Sequence, residues 1–299
     1  ADERLQQGHP PGPLHGIPVG VKDIIATRGI PTAMGSPIFA GHRPTASAAL
    51  VERLEQAGAF VMGKTVTTEF AYYTPGKTRN PWNPAHTPGG SSSGSAAAVA
   101  MGFLPAAVGT QTNGSVIRPA AFCGVVGYKP TAGTISLAGV HPFSPSLDQP
   151  GVFARSVADA ALLAAALAER GAPAGDPSPM ARPPRLTVVR SPVWHKADRY
   201  AQEHFLDVTG RLRAAGAEVE ERELPPAFGE AHAVQRTIMY GEGARGFAEL
   251  QRRDRGRISP RLNALIDEGQ GIADADLARA LERQRRFAAE LDAFLGACD

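Results

Sequence analysis

The sequence predicts an α/β fold in which a mixed, twisted β-sheet is flanked by helices. Short runs of β-branched residues alternate with segments that repeat apolar residues at helical spacing, the pattern of strands interleaved with helices. The chain has 299 residues, of which 43% are hydrophobic, enough to bury a sizeable core. Glycine and proline gather before residue 155, so a loop-rich half of about 1–155 precedes a helix-rich half of about 156–299. We predict a single domain over 1–299.

In the first half, small residues, glycines and prolines delimit the predicted elements. The stretch at 16–26 is apolar and β-branched, which predicts a strand that contains Lys22. Apolar residues at helical spacing over 46–58 predict a helix that Gly58 ends. The other elements predicted here are strands at 59–62, 104–108 and 123–128 and a helix of small residues at 95–102.

The second half has longer runs at helical spacing. Leu277, Leu281 and Phe287, for example, share one stripe of the last predicted helix. Alanine, glycine and proline at 171–179 form a linker-like segment. The predicted helices span 157–170, 201–215, 231–250 and 273–295, and the predicted strands span 185–189 and 218–223.

Composition and charge exclude several classes of protein. The formal net charge is +2, from 31 basic and 29 acidic residues, so neither nucleic acid nor a membrane surface is indicated as a partner. No apolar run reaches the ~20 residues that a membrane-spanning helix needs. Two cysteines are too few for a secreted disulfide scaffold, and no signal-peptide pattern opens the sequence. We therefore expect a cytoplasmic protein, with its oligomeric state open and a homodimer among the states allowed.

Two short motif matches do not fit their surroundings. Residues 58–65 match the phosphate-binding P-loop pattern, but a predicted helix precedes them and their loop positions are apolar, which indicates a strand. Residues 90–94 match the nucleophile-elbow pattern of α/β-hydrolases, but a polar loop precedes them instead of a strand. We therefore reject the nucleotide site and keep the α/β-hydrolase only as an alternative.

Two serine-bearing loops and one lysine carry the strongest functional signal. Ser91 lies in Gly-Gly-Ser-Ser-Ser-Gly-Ser at 89–95, and Ser115 lies 24 residues later in Thr-Asn-Gly-Ser-Val-Ile-Arg. Lys22 lies in an apolar strand, where burial would lower its pKa and favour the neutral amine. Exposed backbone N–H groups, serine hydroxyls and a desolvated lysine suit acyl transfer without histidine. These residues indicate an amide hydrolase.

These motifs, with several others, resemble the amidase signature family. The resemblance includes Gly-Ile-Pro-Val-Gly-Val-Lys-Asp at 16–23, Asn-Pro-Trp-Asn-Pro at 80–84, Phe-Cys-Gly-Val-Val-Gly-Tyr-Lys-Pro at 122–130 and Ser-Leu-Asp-Gln-Pro-Gly-Val at 146–152. Many matches in fixed order are more specific than any single pattern, and they are most similar to malonamidase-like bacterial amidases. The resemblance implies the amidase signature fold. Because family members are longer at both ends, it also implies that the chain is a fragment of a full-length enzyme.

The resemblance implies roles for the serines and the lysine. Ser115 would be the nucleophile that forms an acyl-enzyme, and Ser91 would be a bridging serine held by a cis peptide bond. Lys22 would be the base, which receives the proton relayed by the bridging serine. This chemistry needs no metal and no organic cofactor, and its partner is a small-molecule amide.

The resemblance also implies an oxyanion hole made of backbone N–H groups of Thr112, Asn113, Gly114 and Ser115. Family members usually have glycine at position 113. Asparagine tolerates the left-handed backbone region better than most residues, so we expect an intact but narrower or more selective acyl site.

The resemblance only partly indicates the roles of four further side chains. Arg118 would hold a substrate carboxylate, as in malonamidase-like members, or form a structural ion pair. Tyr72 would line the substrate pocket. Asp148 is a better candidate for a structural hydrogen bond than for an orienting carboxylate, and Asp23 should point away from Lys22 because the two are adjacent in a strand.

The sequence as a whole predicts a serine amidohydrolase that cleaves a small carboxylic amide to an acid and ammonia or an amine. Two alternatives remain open. One is the glutaminase subunit of a tRNA-dependent amidotransferase, and the other is a non-catalytic relative of the amidases. The sequence does not identify the amide.

Overall fold

A computed structural model of the chain describes residues 6–8, 11–169, 182–296 and 298–299. The chain divides into two compact units. The first comprises Ala1–Pro177 and Met239–Gly271, and the second comprises Ser178–Ile238 and Ile272–Asp299. The single domain over 1–299 stays a prediction.

A mixed sheet forms the centre of the first unit. Its described strands are β1 (Pro18–Lys22), β2 (Phe60–Thr65), β3 (Ala106–Gln111), β4 (Val126–Tyr128) and β5 (Gln149–Ala154). They lie in the order β2-β1-β3-β5-β4. β1 runs parallel to β2 and to β3, whereas β5 runs antiparallel to β3 and to β4. The predicted mixed α/β sheet is confirmed.

Helices of the first unit flank this sheet and supply much of the apolar core. Leu50 and Leu54 of the first helix, Leu163 of the fourth and Leu265 of the seventh are almost completely buried. Their burial removes apolar surface from water, which is the main stabilising contribution to such a core. The described α-helices of the two units are α1 (Ala49–Gln56), α2 (Ser93–Ala100), α3 (Ile117–Cys123), α4 (Val157–Leu167), α5 (Arg199–Ala214), α6 (Ala231–Asp254), α7 (Pro260–Gln270) and α8 (Asp274–Leu295).

The middle strand β1 determines where the lysine lies. β1 has strand neighbours on both sides, β2 and β3. Val19, Val21 and Lys22 are each 0% exposed. A lysine at the end of this strand is therefore surrounded by protein rather than by water, as the apolar sequence around it predicted.

The region after the second serine loop differs from the prediction. Helix α3 was not predicted, and the strand predicted at 123–128 is reduced to β4. The helix tolerates Pro119 because the N–H groups of a first turn have no acceptor within the helix. Cys123 closes the helix, and Gly124 follows in a left-handed conformation with a φ of +67°.

The local structure agrees with the rejection of both short motifs. The P-loop pattern at 58–65 falls largely on strand β2, which leaves no glycine loop to surround a phosphate. The stretch before the elbow pattern at 90–94 is a loop and not a strand.

The second unit contains a parallel pair of strands, β6 (Arg185–Arg190) and β7 (Glu218–Glu223). Helices α5 and α8 belong to the same unit, and the guanidinium of Arg222 lies 4.1 Å from the ring centroid of Phe294 on α8. The predicted linker at 171–179 lies outside the described residues. Among the described helices, none combines the length and the apolar character that crossing a membrane requires.

Candidate active site

Lys22 lies at the centre of a short hydrogen-bond network. Its Nζ donates hydrogen bonds to the hydroxyls of Ser91 and Thr110, each at 2.7 Å, and a longer one of 3.4 Å to the Thr110 carbonyl. Burial lowers the pKa of Lys22 from 10.5 to about 7, although the charge of Asp148 opposes this shift in part. Near neutral pH a substantial fraction of this amine is unprotonated, which is the form that accepts a proton.

Backbone contacts hold the Ser91 loop in place. The Gly90–Ser91 peptide bond is cis, as the resemblance implied. The carbonyl of Ser91 accepts a hydrogen bond of 3.1 Å from the N–H of Thr68. Gly89 has a φ of +75°, and a Cβ atom there would lie 2.7 Å from Cα of Pro119, so this position requires glycine. The loop therefore presents the Ser91 hydroxyl to the lysine in one defined arrangement.

The second serine loop connects β3 to α3. The Oε1 atom of Gln111 accepts hydrogen bonds from the N–H groups of Val116 and Ile117, at 3.0 and 3.1 Å, so this side chain bridges the base of the loop. Ser115 is buried, and its carbonyl accepts a hydrogen bond of 3.4 Å from the N–H of Ser92. The two serine loops are thus in direct contact.

The backbone of this loop has unused hydrogen-bond donors. Within the described ranges, no N–H group of residues 112–115 donates a hydrogen bond to another residue. The Thr112 hydroxyl donates to Asp148 at 2.5 Å, and the same carboxylate accepts from the N–H groups of Phe143 and Ser144 at 2.7 and 3.0 Å. Burial raises the pKa of Asp148, while these hydrogen bonds oppose the shift. Asp148 makes the structural hydrogen bonds that the sequence favoured.

Ser91, Ser115 and Arg118 line one cavity of about 250 Å³ in the first unit. Arg118 is the single side chain with a permanent charge among the described residues that line it. Its Nε donates a hydrogen bond of 3.1 Å to the carbonyl of Gly90, and no carboxylate in the described part of the chain forms an ion pair with it. The residues that the structure describes therefore offer no partner for the structural ion pair that the sequence left open.

Aromatic side chains form one wall of this cavity. The ring of Tyr72 is stacked on Phe143, with 5.4 Å between centroids and 9° between planes, and the ring of Tyr73 lies 4.6 Å from it. The Tyr72 hydroxyl is 3.3 Å from that of Tyr240, and Met239 of α6 completes the wall. Tyr72 thus lines the cavity, and its part in binding substrate stays a prediction.

Asn113 extends from the second serine loop to this wall. Its Nδ2 donates a hydrogen bond of 3.2 Å to the Tyr73 hydroxyl and lies 3.6 Å from the Met239 sulfur. The left-handed backbone on which the sequence argument relied is absent at this residue, since the described non-glycine residues with positive φ lie elsewhere. The unusual φ of the loop, +144°, belongs to Gly114. The argument from left-handed tolerance was therefore wrong, because the backbone at residue 113 is not left-handed and places no such demand on the side chain.

A larger cavity, of about 670 Å³, lies in the second unit. Its lining includes Arg190, Trp194 and Arg222, but none of the residues that the sequence singled out. In the described ranges, no group of three or more His, Cys, Asp or Glu side chains is arranged to hold a metal ion. We therefore place the candidate site in the smaller cavity, which Ser91 and Ser115 both line.

Several contributors to the site were not predicted, among them Thr110, Gln111 and Met239. Thr110 and Gln111 lie just beyond the strand predicted at 104–108, and their polar side chains directly before the serine loop were an available signal. Met239 comes from a distant helix, and no local pattern marks it. Asp23 behaves as predicted, because its carboxylate accepts from the N–H of Ala33 at 3.1 Å and not from Lys22.

Comparison with known proteins relates the whole chain to one family. A family model described as Amidase matches residues 1–299. The chain is 44% identical over 213 residues to one subunit of the glutamyl-tRNA(Gln) amidotransferase of Chloroflexus aurantiacus, across 69% of this chain and 44% of that protein. It is 40% identical to the corresponding subunit from Acidothermus cellulolyticus, across 97% of this chain and 59% of that protein.

A solved structure agrees with this relationship. The crystal structure of an amidase matches the chain with a TM-score of 0.89 and 34% identity, across 99% of this chain and 68% of that one. The chain spans between 44% and 59% of the length of the two curated relatives.

Proposed function

The chain belongs to the amidase signature family, and on that premise we propose that it acts as a serine amidohydrolase. The reaction cleaves a small carboxylic amide to an acid and ammonia or an amine through an acyl-enzyme. The observation that carries the proposal is the 2.7 Å contact between the Lys22 amine and the Ser91 hydroxyl, in a loop that touches the loop of Ser115.

The proposed mechanism moves one proton along this path. The neutral amine of Lys22 accepts the hydroxyl proton of Ser91, and the Ser91 oxygen accepts the hydroxyl proton of Ser115. The Ser115 oxygen then attacks the amide carbonyl. When the tetrahedral intermediate collapses, the protonated amine returns a proton through Ser91 to the leaving nitrogen. Water then gives a proton through Ser91 to Lys22 and attacks the acyl carbonyl. When this second tetrahedral intermediate collapses, the bond to Ser115 breaks, the proton returns through Ser91 to the Ser115 oxygen, and the acid is released.

The unused N–H groups of residues 112–115 are the proposed oxyanion hole. A donor of this kind typically stabilises the transition state by about 3 kcal/mol, because it is already aligned where charge develops. The hydrogen bond from Thr112 to Asp148 and the bridge made by Gln111 support this assignment, since both hold the loop without using its N–H groups.

The test of the proposal is covalent labelling combined with a substrate screen. A fluorophosphonate should label the chain once, at Ser115, as peptide mapping by mass spectrometry can determine. Malonamate, an aryl acetamide, a simple aliphatic amide and glutamine should then be compared as substrates. A chain that is folded but takes up no label would instead be the non-catalytic relative.

The rate should depend on pH through Lys22. Because the base must be neutral, kcat/KM should fall about tenfold per pH unit below its apparent pKa and level off above it. With burial lowering the pKa of Lys22 to about 7, the plateau should begin just above neutral pH. A profile measured from pH 5 to 9 that stays flat would contradict the role of this lysine.

Arg118 is the proposed partner of a substrate carboxylate. The Arg118→Lys variant keeps the charge but loses the planar pair of donors. We expect its KM for malonamate to rise by roughly tenfold, since a charge-assisted hydrogen bond contributes about 1.5–3 kcal/mol, with little change for an uncharged amide. Arg155→Lys, on an exposed residue, is the matched control. Equal effects on charged and uncharged amides would oppose this role.

A second candidate function is favoured by the names of the curated relatives, which are amidotransferase subunits. In that case the same site would hydrolyse glutamine and pass ammonia to partner subunits. Glutamine turnover that exceeds the turnover of every other amide, and that increases in the presence of partner subunits, would support this candidate. Cytoplasmic location and a homodimer remain predictions, and size-exclusion chromatography with light scattering tests the latter.

A further inference from the structure

We propose that Asn113 determines specificity by limiting the size of the group that the cavity admits beside Ser115. This inference rests on the proposed function, because it concerns the same cavity. The physical basis is that the Asn113 side chain connects the loop of Ser115 to the wall that Tyr73 and Met239 form.

The contacts of Asn113 join three separate segments of the first unit. Its Nδ2 donates to the Tyr73 hydroxyl at 3.2 Å and lies 3.6 Å from the Met239 sulfur. All three side chains line the cavity of about 250 Å³. This volume is below the roughly 300–1,000 Å³ of pockets for drug-sized ligands, so a few added or removed atoms at the wall change what fits.

The wall that Asn113 contacts is itself well supported. Tyr73 packs on Tyr72, which is stacked on Phe143. The Tyr73 ring is 46% exposed, whereas Tyr72 and Phe143 behind it are buried. A bulky substrate on this side of the cavity must therefore displace the asparagine side chain or the Tyr73 ring, and these two side chains make the boundary.

A purely structural role does not account for Asn113. Its backbone has no left-handed φ, so the loop does not demand asparagine for its conformation. The residue is exposed, so it contributes little to the apolar core. The side chain is consequently free to change without loss of the fold, which makes the proposal testable by substitution.

The experiment compares two ligands of different size. Asn113→Gly removes the whole side chain, and Tyr73→Phe removes the hydroxyl that accepts its hydrogen bond. In both variants the ratio of kcat/KM for naphthylacetamide to that for phenylacetamide should rise by about fivefold or more, the range that small changes in a pocket produce. Asn83→Ala, on an exposed loop residue, should leave the ratio unchanged. The melting temperatures should stay within the scatter of the control.

A binding measurement separates this inference from the proposed function. The same two amides are titrated by calorimetry into variants that also carry Ser115→Ala, so that no turnover is needed. The ratio of their Kd values should shift in the same direction for Asn113→Gly. If both ratios stay within about twofold of the unchanged chain, the inference is wrong even where labelling succeeds. If labelling and turnover fail but the Kd ratio shifts, the proposed function is wrong and the inference stands.

Discussion

Replacing Ser115 with alanine should lower kcat for the best amide by roughly 10⁴- to 10⁶-fold, the range seen when a catalytic serine is removed. The variant loses the atom that is proposed to form the acyl-enzyme, while the cavity and the loop of residues 112–115 remain. Binding of the amide should therefore change little, so the loss should appear in kcat rather than in Kd. Stopped assays at high protein concentration measure kcat, calorimetric titration measures Kd, and fluorophosphonate labelling tests whether a nucleophile remains.

The control for this experiment is Ser93→Ala, at the first residue of helix α2 and two residues after Ser91. The Ser93 hydroxyl donates to the carbonyl of Val66 at 3.2 Å, away from the proposed proton path. Its removal should leave turnover within a few-fold, as is usual for one neutral hydrogen bond worth about 1 kcal/mol. Label that still attaches at the same peptide in Ser115→Ala would refute the assignment of the nucleophile.

The fold was largely predictable because its strands and helices follow simple patterns. The strand that carries Lys22 was found from its β-branched residues, and the long helices were found from their periodicity. Strand β5 was missed because Pro150 and Gly151 interrupt its apolar run, although a proline near the start of a strand is tolerated. Helix α7 was missed although Ser259 and Pro260 are clear start signals.

The site was predictable only where its chemistry is local. Lys22, Ser91 and Ser115 stand in motifs that can be recognised from neighbouring residues. The contacts of Asn113 with Tyr73 and Met239 depend on how distant segments pack, so the sequence did not predict them. Hydrophobic periodicity predicts secondary structure, but it does not predict which distant residues come into contact in the folded chain.

The burial that lowers the pKa of Lys22 also has a consequence for stability. A lysine in water has a pKa near 10.5, whereas burial lowers the pKa of Lys22 to about 7. Between about pH 7 and pH 10.5 the unfolded chain binds more protons than the folded chain. The free energy of unfolding must therefore rise with pH across this range. The difference corresponds to about 5 kcal/mol in total, which is comparable with the whole stability of many domains. The proposed function thus requires a residue that destabilises the fold at neutral pH.

The Lys22→Met variant separates the effect of the lysine on catalysis from its effect on stability. We expect kcat/KM to fall by about 10²- to 10⁴-fold, the usual contribution of a general base. We also expect the free energy of unfolding to become less dependent on pH between 7 and 10, with the variant gaining most over the unchanged chain at pH 7. The gain should be partial, because the hydroxyls of Ser91 and Thr110 lose their shared partner.

Urea unfolding at pH 7, 8, 9 and 10 measures this difference, and Lys77→Met, at an exposed lysine, is the control. Lys64 is half-buried, and its pKa is lowered to about 8, so it contributes to the slope in both proteins and cancels in the comparison. If the slopes of Lys22→Met and the unchanged chain coincide, the lysine is already charged in the folded state. In that case it could not serve as the base, and the proton path through Ser91 would have no acceptor.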